Sequence, residues 1–137
     1  MQRYGYPDSL RSTDNEIWGR LRRRFLKRVK LLQKHKHTIK SPYRNKACCP
    51  ACDKVWEVEY QYVNGTFCWT TTFRHSVRVH PDVYVSPLFW MYTLILTKGG
   101  LPIGKFERKV LNAYKGSDLE KQANKLVAYY TGDSNQR

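Results

Sequence analysis

Residues 48–73 read CCPACDKVWEVEYQYVNGTFCWTTTF, and this stretch predicts a β-hairpin that follows a cysteine-rich turn. From Val55 to Phe73, apolar and polar side chains alternate, as in a strand pair with one buried face. The dipeptide Asn64-Gly65 interrupts the alternation and favours a two-residue type I′ turn, because both residues tolerate a positive φ angle. The sequence therefore predicts a zinc-ribbon-like β-hairpin at the centre of the fold.

The position of this turn also fixes the predicted register of the hairpin. Large apolar side chains fall on one face of the ribbon, and acidic and smaller polar side chains fall on the other. We therefore expect one core face and one face that contacts water or a partner. The predicted cross-strand pairs are Val63 with Thr66, Tyr62 with Phe67, Tyr60 with Trp69, Val58 with Thr71 and Trp56 with Phe73.

A Cys-x-x-Cys turn and a pair of histidines have the spacing of a tetrahedral metal site. Cys49 and Cys52 flank the turn, and His75 and His80 lie within the separation found in sites with two cysteines and two histidines. In the predicted register, Lys54 lies opposite His75, which returns His75 to the base of the ribbon beside Cys52. We predict a structural zinc site formed by these two cysteines and two histidines.

Other thiols and imidazoles are candidates for the same role. Cys68 lies about 20 Å along the predicted strand, which is too far for it to share the site. Cys48, His35 or His37 can replace one member of the preferred set. The alternative to metal binding is a group of reduced thiols with ordinary surface histidines.

A long basic helix is predicted before the hairpin. Thr13 and Glu16 have the spacing of a capping box, and apolar residues then recur from Ile17 to Leu32, so the helix runs to about His35. No acidic residue follows Glu16 within this helix, so its cations lack i,i+4 partners and require an external counter-charge. The predicted phosphate-binding residues are Arg20, Arg22, Arg23, Arg24, Lys27, Arg28, Lys30, Lys34 and Lys36.

The rest of the chain predicts a linker and C-terminal helices. Residues 37–47 are basic and polar and are predicted to form the linker, whereas residues 83–98 fit either a strand or, after Pro87, a short buried helix. Two capped apolar stripes near the C-terminal end predict a helical hairpin. The predicted fold is α+β, with a basic arm and helix over residues 1–40 and a small domain over residues 41–137.

The charge balance indicates a negatively charged partner. The 137 residues include 25 Lys and Arg against 11 Asp and Glu, a net charge of +14. This excess favours RNA above all, although an anionic membrane surface or an acidic protein subunit would match the same charge. We expect a non-enzymatic RNA-binding component of a ribonucleoprotein such as a ribosome, including an organellar one. The alternative is an accessory subunit of a large membrane-associated or respiratory assembly, with the aromatic run from Tyr84 to Tyr92 as its interface.

Enzymatic functions and base reading are disfavoured by the sequence. The segment from Gly99 to Lys105 lacks the spacing of a phosphate-binding loop, and the acidic residues are scattered. A zinc-dependent nuclease would need His75 or His80 as its general base, although both are required as ligands. Sequence-specific DNA recognition is disfavoured because the segment between these histidines is short and rich in β-branched residues.

The apolar content of the chain bears on its location. No apolar run reaches the roughly 20 residues of a membrane-spanning helix, and the N-terminal residues lack the apolar core of a secretory signal. We therefore expect an intracellular, reducing location, either the cytoplasm or the mitochondrion. Such a location would keep the cysteines reduced.

Overall fold

A computed structural model describes residues 2–3, 15–49, 52–80 and 85–131 of the chain, with side chains from residue 21 onward. These residues form a mixed α+β fold, as predicted, with three antiparallel strands, a two-residue strand beside them and five helices. In chain order the elements are β1 (Gln2–Arg3), α1 (Asn15–Gln33), β2 (Ile39–Cys48), β3 (Val55–Asn64), β4 (Phe67–Thr70), α2 (Thr71–Val79), α3 (Pro87–Thr97), α4 (Lys105–Ala113) and α5 (Asp118–Thr131).

The sheet has the strand order β1-β4-β3-β2, so β2 is an edge strand. It pairs antiparallel with β3, with a register shift between Pro42 and Arg44. The prediction of a linker over residues 37–47 is wrong. Only Ala47 of β2 is buried, so the strand lacks the apolar alternation that marks a half-buried strand. An edge strand also tolerates a proline, because the missing N–H can face away from the ladder.

The turn between β3 and β4 lies one residue later than predicted. Asn64 pairs with Phe67, which leaves Gly65 and Thr66 as the two loop residues. Gly65 has a φ of +59°, whereas Thr66 is not among the residues with positive φ. This combination is typical of a type II′ turn, which needs glycine only at its first loop position. The predicted type I′ turn and the register counted from it are therefore wrong.

Asn64 remains in β3 because its side chain is held in the core. Its Oδ1 atom accepts a hydrogen bond of 2.6 Å from the Tyr92 hydroxyl, and its Nδ2 atom donates one of 2.9 Å to the Thr38 hydroxyl. A buried amide left without such partners costs about 1–3 kcal/mol. These tertiary hydrogen bonds therefore override the local preference of the Asn-Gly dipeptide.

The strand β4 ends at Thr70, and the predicted continuation to Phe73 is wrong. The Thr70 hydroxyl accepts a hydrogen bond of 3.2 Å from the Phe73 N–H and caps a new helix. The buried carboxylate of Glu59 accepts another, of 3.3 Å, from the Thr72 N–H. These two bonds satisfy first-turn N–H groups that a helix leaves without internal partners. The chain therefore changes from strand to helix at this point and forms α2.

The apolar stripe predicted along the first helix is the buried face of α1. Leu21, Phe25, Val29 and Leu32 are all at most 2% exposed. The ring of Phe25 meets that of Phe89 on α3 edge-on, with 5.8 Å between ring centroids. The helix thus packs into the common core, while the capping box and the first apolar residue predicted for it lie outside the described side chains.

The segment that fitted either strand or helix is the helix α3. The Ser86 hydroxyl accepts a hydrogen bond of 3.5 Å from the Phe89 N–H, and Pro87 occupies the first turn. Most residues of α3 are buried, including Trp90 and Tyr92. Within the described residues, no helix combines the length and the hydropathy needed to span a membrane.

The two C-terminal helices begin and end near the predicted caps but do not form the predicted hairpin. The Ser117 hydroxyl accepts a hydrogen bond of 3.2 Å from the Glu120 N–H, and Gly116 has a φ of +79°. However, α5 packs on α3, with Ala123 and Val127 buried, and α4 lies against α1. The two helices therefore have different packing partners. The contact of α4 with α1 is held by a buried ion pair.

This ion pair joins Glu107 on α4 to Arg28 on α1, and both side chains are fully buried. Two hydrogen bonds of 2.7 Å link the guanidinium to the carboxylate. Arg24 donates a third, of 2.9 Å, and the Gly104 N–H a fourth, of 2.8 Å. Burial alone would raise the pKa of Glu107, but the hydrogen bonds and the charge of Arg28 outweigh it and lower the pKa to about 2. The carboxylate is therefore ionised in the folded protein.

Replacing Glu107 with Gln is expected to lower the free energy of unfolding by about 3–5 kcal/mol at neutral pH, because Arg28 would remain buried without its counter-charge. The pKa of Glu107 is about 2 in the folded protein, below its ordinary value of 4.5. The ionised carboxylate therefore stabilises the fold above pH 4.5, and this stabilisation is lost as the pH falls from 4.5 through about 2. Urea denaturation should show the difference between wild type and variant shrinking from pH 4.5 towards pH 2. A difference that stays constant across this window would contradict the assignment.

Candidate metal centre and cationic groove

The Cys-x-x-Cys segment closes the β2–β3 hairpin. At the end of this ladder, Cys48 pairs with Val55. The Cys49 N–H donates a hydrogen bond of 3.0 Å to the Lys54 carbonyl, and the Cys52 N–H donates one of 3.4 Å to the Cys49 carbonyl. This backbone turn holds Cys49 and Cys52 together at one end of the sheet.

The helix α2 brings both histidines to the same end of the sheet. His75 lies in the middle of the helix, and His80 follows its last turn, where the backbone N–H donates a hydrogen bond of 2.8 Å to the Ser76 carbonyl. Phe73 and Val77, one helical turn apart, are buried in the core. Burial of this pair sets the rotation of α2 about its axis. With that rotation, the histidines lie beside the cysteine turn.

Cys49, Cys52, His75 and His80 form a single cluster, and they are the four residues selected from their spacing. Cys49 Sγ lies 3.3 Å from His80 Nε2, and Cys52 Sγ lies 3.2 Å from His75 Nε2. All four ligand atoms lie within 4.8 Å of one another. Two sulfur and two nitrogen donors in such an arrangement can hold a metal ion.

The cluster combines buried and accessible ligands. Cys49 and His75 are buried, His80 is half-buried and Cys52 is exposed. Burial is the main cause that lowers the pKa of His75, and neighbouring positive charges lower it further. The neutral imidazole favoured in this way is the form that binds a metal. Because Cys52 is exposed, the site is open to solvent on that side, and an ion could enter there.

The histidines reach the cysteines by a different route from the predicted one. The prediction placed His75 opposite Lys54 on a long second strand. Instead, the chain turns into α2 after four strand residues, and α2 packs back on β3. The rings of His75 and Trp56 meet edge-on with 5.1 Å between centroids. The predicted proximity to Cys52 therefore holds although the predicted register does not.

The other thiols and imidazoles considered from the sequence lie outside the cluster. Cys68 pairs with Val63 within the sheet. His35 and His37 follow α1 and contact each other, with 5.3 Å between ring centroids. Cys48 is exposed at the end of β2 and is not part of the four-atom group.

A groove lined by basic side chains runs between α1 and α2, and we call it the cationic groove. It has a volume of about 460 Å³. Ion pairs in the described part of the chain join Glu107 to two arginines and Glu59 to Arg44, and none involves a cation of the groove. The groove is lined by Arg22, Arg23, Leu26, Lys27 and Lys30 of α1 and by Arg74 and Arg78 of α2.

Not all the cations predicted on the first helix lie at this groove. Arg28 is buried, and Arg24 is directed to the same carboxylate, so we remove both from the set of phosphate-binding residues. Lys34 and Lys36 are exposed at the end of α1 but do not line the groove. The side chain of Arg20 lies outside the described ones.

Sequence reasoning missed Arg74 and Arg78. Their separation of four residues places them on one face of a helix, but the segment was read as a strand. The signal was the capping threonine at position 70, followed by the apolar pair Phe73 and Val77 at helical spacing.

Comparison with known proteins gives no match of any kind. No protein-family model, no curated protein and no solved structure matches this chain.

Replacing Cys52 with Ser is expected to weaken metal binding by more than the roughly 10- to 100-fold loss that follows removal of an outer-shell partner. Co²⁺ is a suitable probe, because tetrahedral coordination by thiolates gives intense visible and near-ultraviolet absorption. Cys68→Ser is the matched control, since it removes a thiol outside the cluster. Equal Co²⁺ spectra for the two variants would refute the four-residue site.

Proposed function

We propose that this protein is a non-enzymatic RNA-binding component of a ribonucleoprotein, in which a structural zinc ion positions part of a phosphate-binding groove. The observation that carries the proposal is the double role of α2. The helix contributes His75 to the metal cluster, and its C-cap residue, His80, is a second member of that cluster. The helix also contributes Arg74 and Arg78 to the cationic groove. A metal bound at the cluster would therefore hold these two arginines in place against α1.

Zinc is the ion that best fits the donor set. In a tetrahedral zinc site, Zn–S and Zn–N distances near 2.3 and 2.0 Å place sulfur and nitrogen about 3.5 Å apart. The two sulfur–nitrogen distances of 3.3 and 3.2 Å are close to that value. Thiolate and imidazole donors together favour zinc over the oxygen-seeking Mg²⁺ and Ca²⁺.

A structural role for the ion agrees with its coordination. Four protein ligands leave no position for a metal-bound water, which a hydrolytic zinc site requires. The two buried carboxylates of the described chain are also occupied, since Glu107 binds Arg28 and Glu59 accepts a hydrogen bond of 2.6 Å from Arg44. Neither of these two carboxylates is therefore free to act as a general base.

The groove supports phosphate as the ligand. Six cations among the described side chains face it, and a polyanion that spans both helices would relieve the repulsion among them. Among the described side chains that line the groove, Leu26 is the one apolar residue, so these side chains suit a charged ligand better than an apolar peptide. RNA in a cytoplasmic or mitochondrial ribonucleoprotein is the partner that fits this charge and the reduced state of the four cysteines.

The alternative of an accessory subunit in a membrane-associated assembly has less support. Its predicted interface was the aromatic run ending at Tyr92. Phe89, Trp90 and Tyr92 are 0% exposed and form part of the core. These rings therefore cannot provide an apolar docking face without unfolding α3.

The groove predicts a specific effect of charge on RNA binding. Lys27→Gln combined with Lys30→Gln is expected to weaken binding of a structured RNA and to reduce the slope of log K against log salt by about 1.4–1.8, because each lost phosphate contact contributes about 0.7–0.9. Lys121→Gln combined with Lys125→Gln removes the same charge from exposed positions of α5 and should change the slope much less. Equal slopes for both double variants would contradict the groove as the binding surface.

Removal of the metal should also affect RNA binding. Chelation of zinc is expected to lower RNA affinity and to reduce the salt slope by about as much as loss of two phosphate contacts, roughly 1.4–1.8, because Arg74 and Arg78 lose their fixed position. Binding should return when zinc is restored, as measured by fluorescence anisotropy. Unchanged affinity in metal-free protein that is still folded by circular dichroism would separate the two sites and argue against the coupling.

A further inference from the structure

A second cleft opens next to the cationic groove and contains an aromatic ring. It has a volume of about 280 Å³. Arg74 and Arg78 line both the cleft and the groove, so the two are continuous along one face of α2. The cleft is lined by Lys54, Trp56, Thr71, Arg74, His75 and Arg78.

Trp56 is half-buried, and its position explains why a large ring remains accessible there. It lies on β3 at even spacing from Tyr60 and Tyr62, so all three share one face of the strand. Tyr62 is buried against Trp69, with rings stacked at 5.7 Å between centroids. Trp56 lies beyond this aromatic packing, at the end of β3 where the metal cluster lies. Within the described chain, its ring packs against that of His75.

We propose that the cleft binds an unpaired nucleobase, which stacks on Trp56 while Arg74, Arg78 and Lys54 contact the adjacent phosphates. The inference rests on the proposed RNA-binding function and adds that the preferred ligand is single-stranded. Aromatic rings bind unpaired bases through their faces in many single-strand-binding proteins. Three cations around one indole provide the phosphate contacts that such a nucleotide needs.

The geometry favours a single strand over a duplex. In an A-form helix the bases are stacked on one another, and their faces are closed to protein side chains. The cleft volume of about 280 Å³ lies just below the range of about 300–1,000 Å³ for small-ligand sites, which suits one base better than a base pair. A strand whose backbone follows the cationic groove would reach Trp56 past Arg74 and Arg78.

The inference is tested with the zinc-loaded 137-residue protein and three fluorescein-labelled ligands of 12 units: oligouridine, a blunt RNA duplex and an abasic backbone. Trp56→Ala is expected to weaken oligouridine binding by about 5- to 150-fold, the loss expected for one stacked base. Binding of the duplex and of the abasic backbone should change less than about twofold. The salt slope should stay the same, since no phosphate contact is removed.

Two further measurements separate a stacking role from a structural one, since Trp56 also packs on His75. The variant Trp56→Phe keeps an aromatic face and should retain most of the oligouridine affinity. The zinc content of this variant should equal that of the wild-type protein. Ultraviolet crosslinking of wild-type protein to 5-iodouridine RNA, mapped by mass spectrometry, should identify Trp56. A crosslink map without Trp56, or equal losses for oligouridine and abasic backbone in Trp56→Ala, would overturn the inference.

The outcomes also distinguish this inference from the proposed function. If wild-type protein binds all three ligands equally and Trp56→Ala changes nothing, the cleft proposal fails while phosphate binding in the groove stands. If wild-type protein binds none of them at low salt, RNA binding itself is refuted, and the cleft proposal is refuted with it.

Discussion

The hydrogen bond from the Phe73 N–H to the Thr70 hydroxyl is the interaction on which the arrangement of both sites depends. It ends β4 after four residues and starts a helix that would otherwise continue as a strand. Glu59 supports the same transition, because its carboxylate accepts the Thr72 N–H while it is paired with Arg44 of β2. Burial would raise the pKa of Glu59, but hydrogen bonds from Thr72 and Arg44 and a further one from Thr70 outweigh this effect and lower it. A buried anion thus connects two strands to the first turn of α2.

The helix that begins there has three faces with different partners. Phe73 and Val77 face the core, His75 faces the cysteine turn, and the pair Arg74 and Arg78 faces α1. A helix of nine residues is too short to be stable alone. Its position must come from packing and from any ion held by the cluster. For this reason the cysteine–histidine cluster and the cationic groove depend on the placement of the same helix.

Much of this arrangement could be read from the sequence where the information is local. The stripe of α1 was predictable because a helical period of apolar residues needs no knowledge of the partner. The grouping of Cys49, Cys52, His75 and His80 was predictable because their spacing resembles that of sites with two cysteines and two histidines. The strand β2 could not be predicted from the sequence, because a strand with both faces exposed has no periodic pattern of apolar residues. The role of Arg28 was also hidden, since its partner Glu107 lies 79 residues away. Only the tertiary structure distinguishes a cation that is neutralised inside the fold from one that is available to a ligand.

The exposed edge strand β2 bears on the solution behaviour of the protein. An unpaired edge can recruit strands from other chains and so lead to aggregation. Here the strand carries a proline, a register shift, a left-handed residue at Lys46 with φ of +51°, and several cations. Each of these features opposes edge-to-edge pairing. The strand therefore adds little to the core, but its irregular backbone and its charges oppose aggregation through this edge of the sheet.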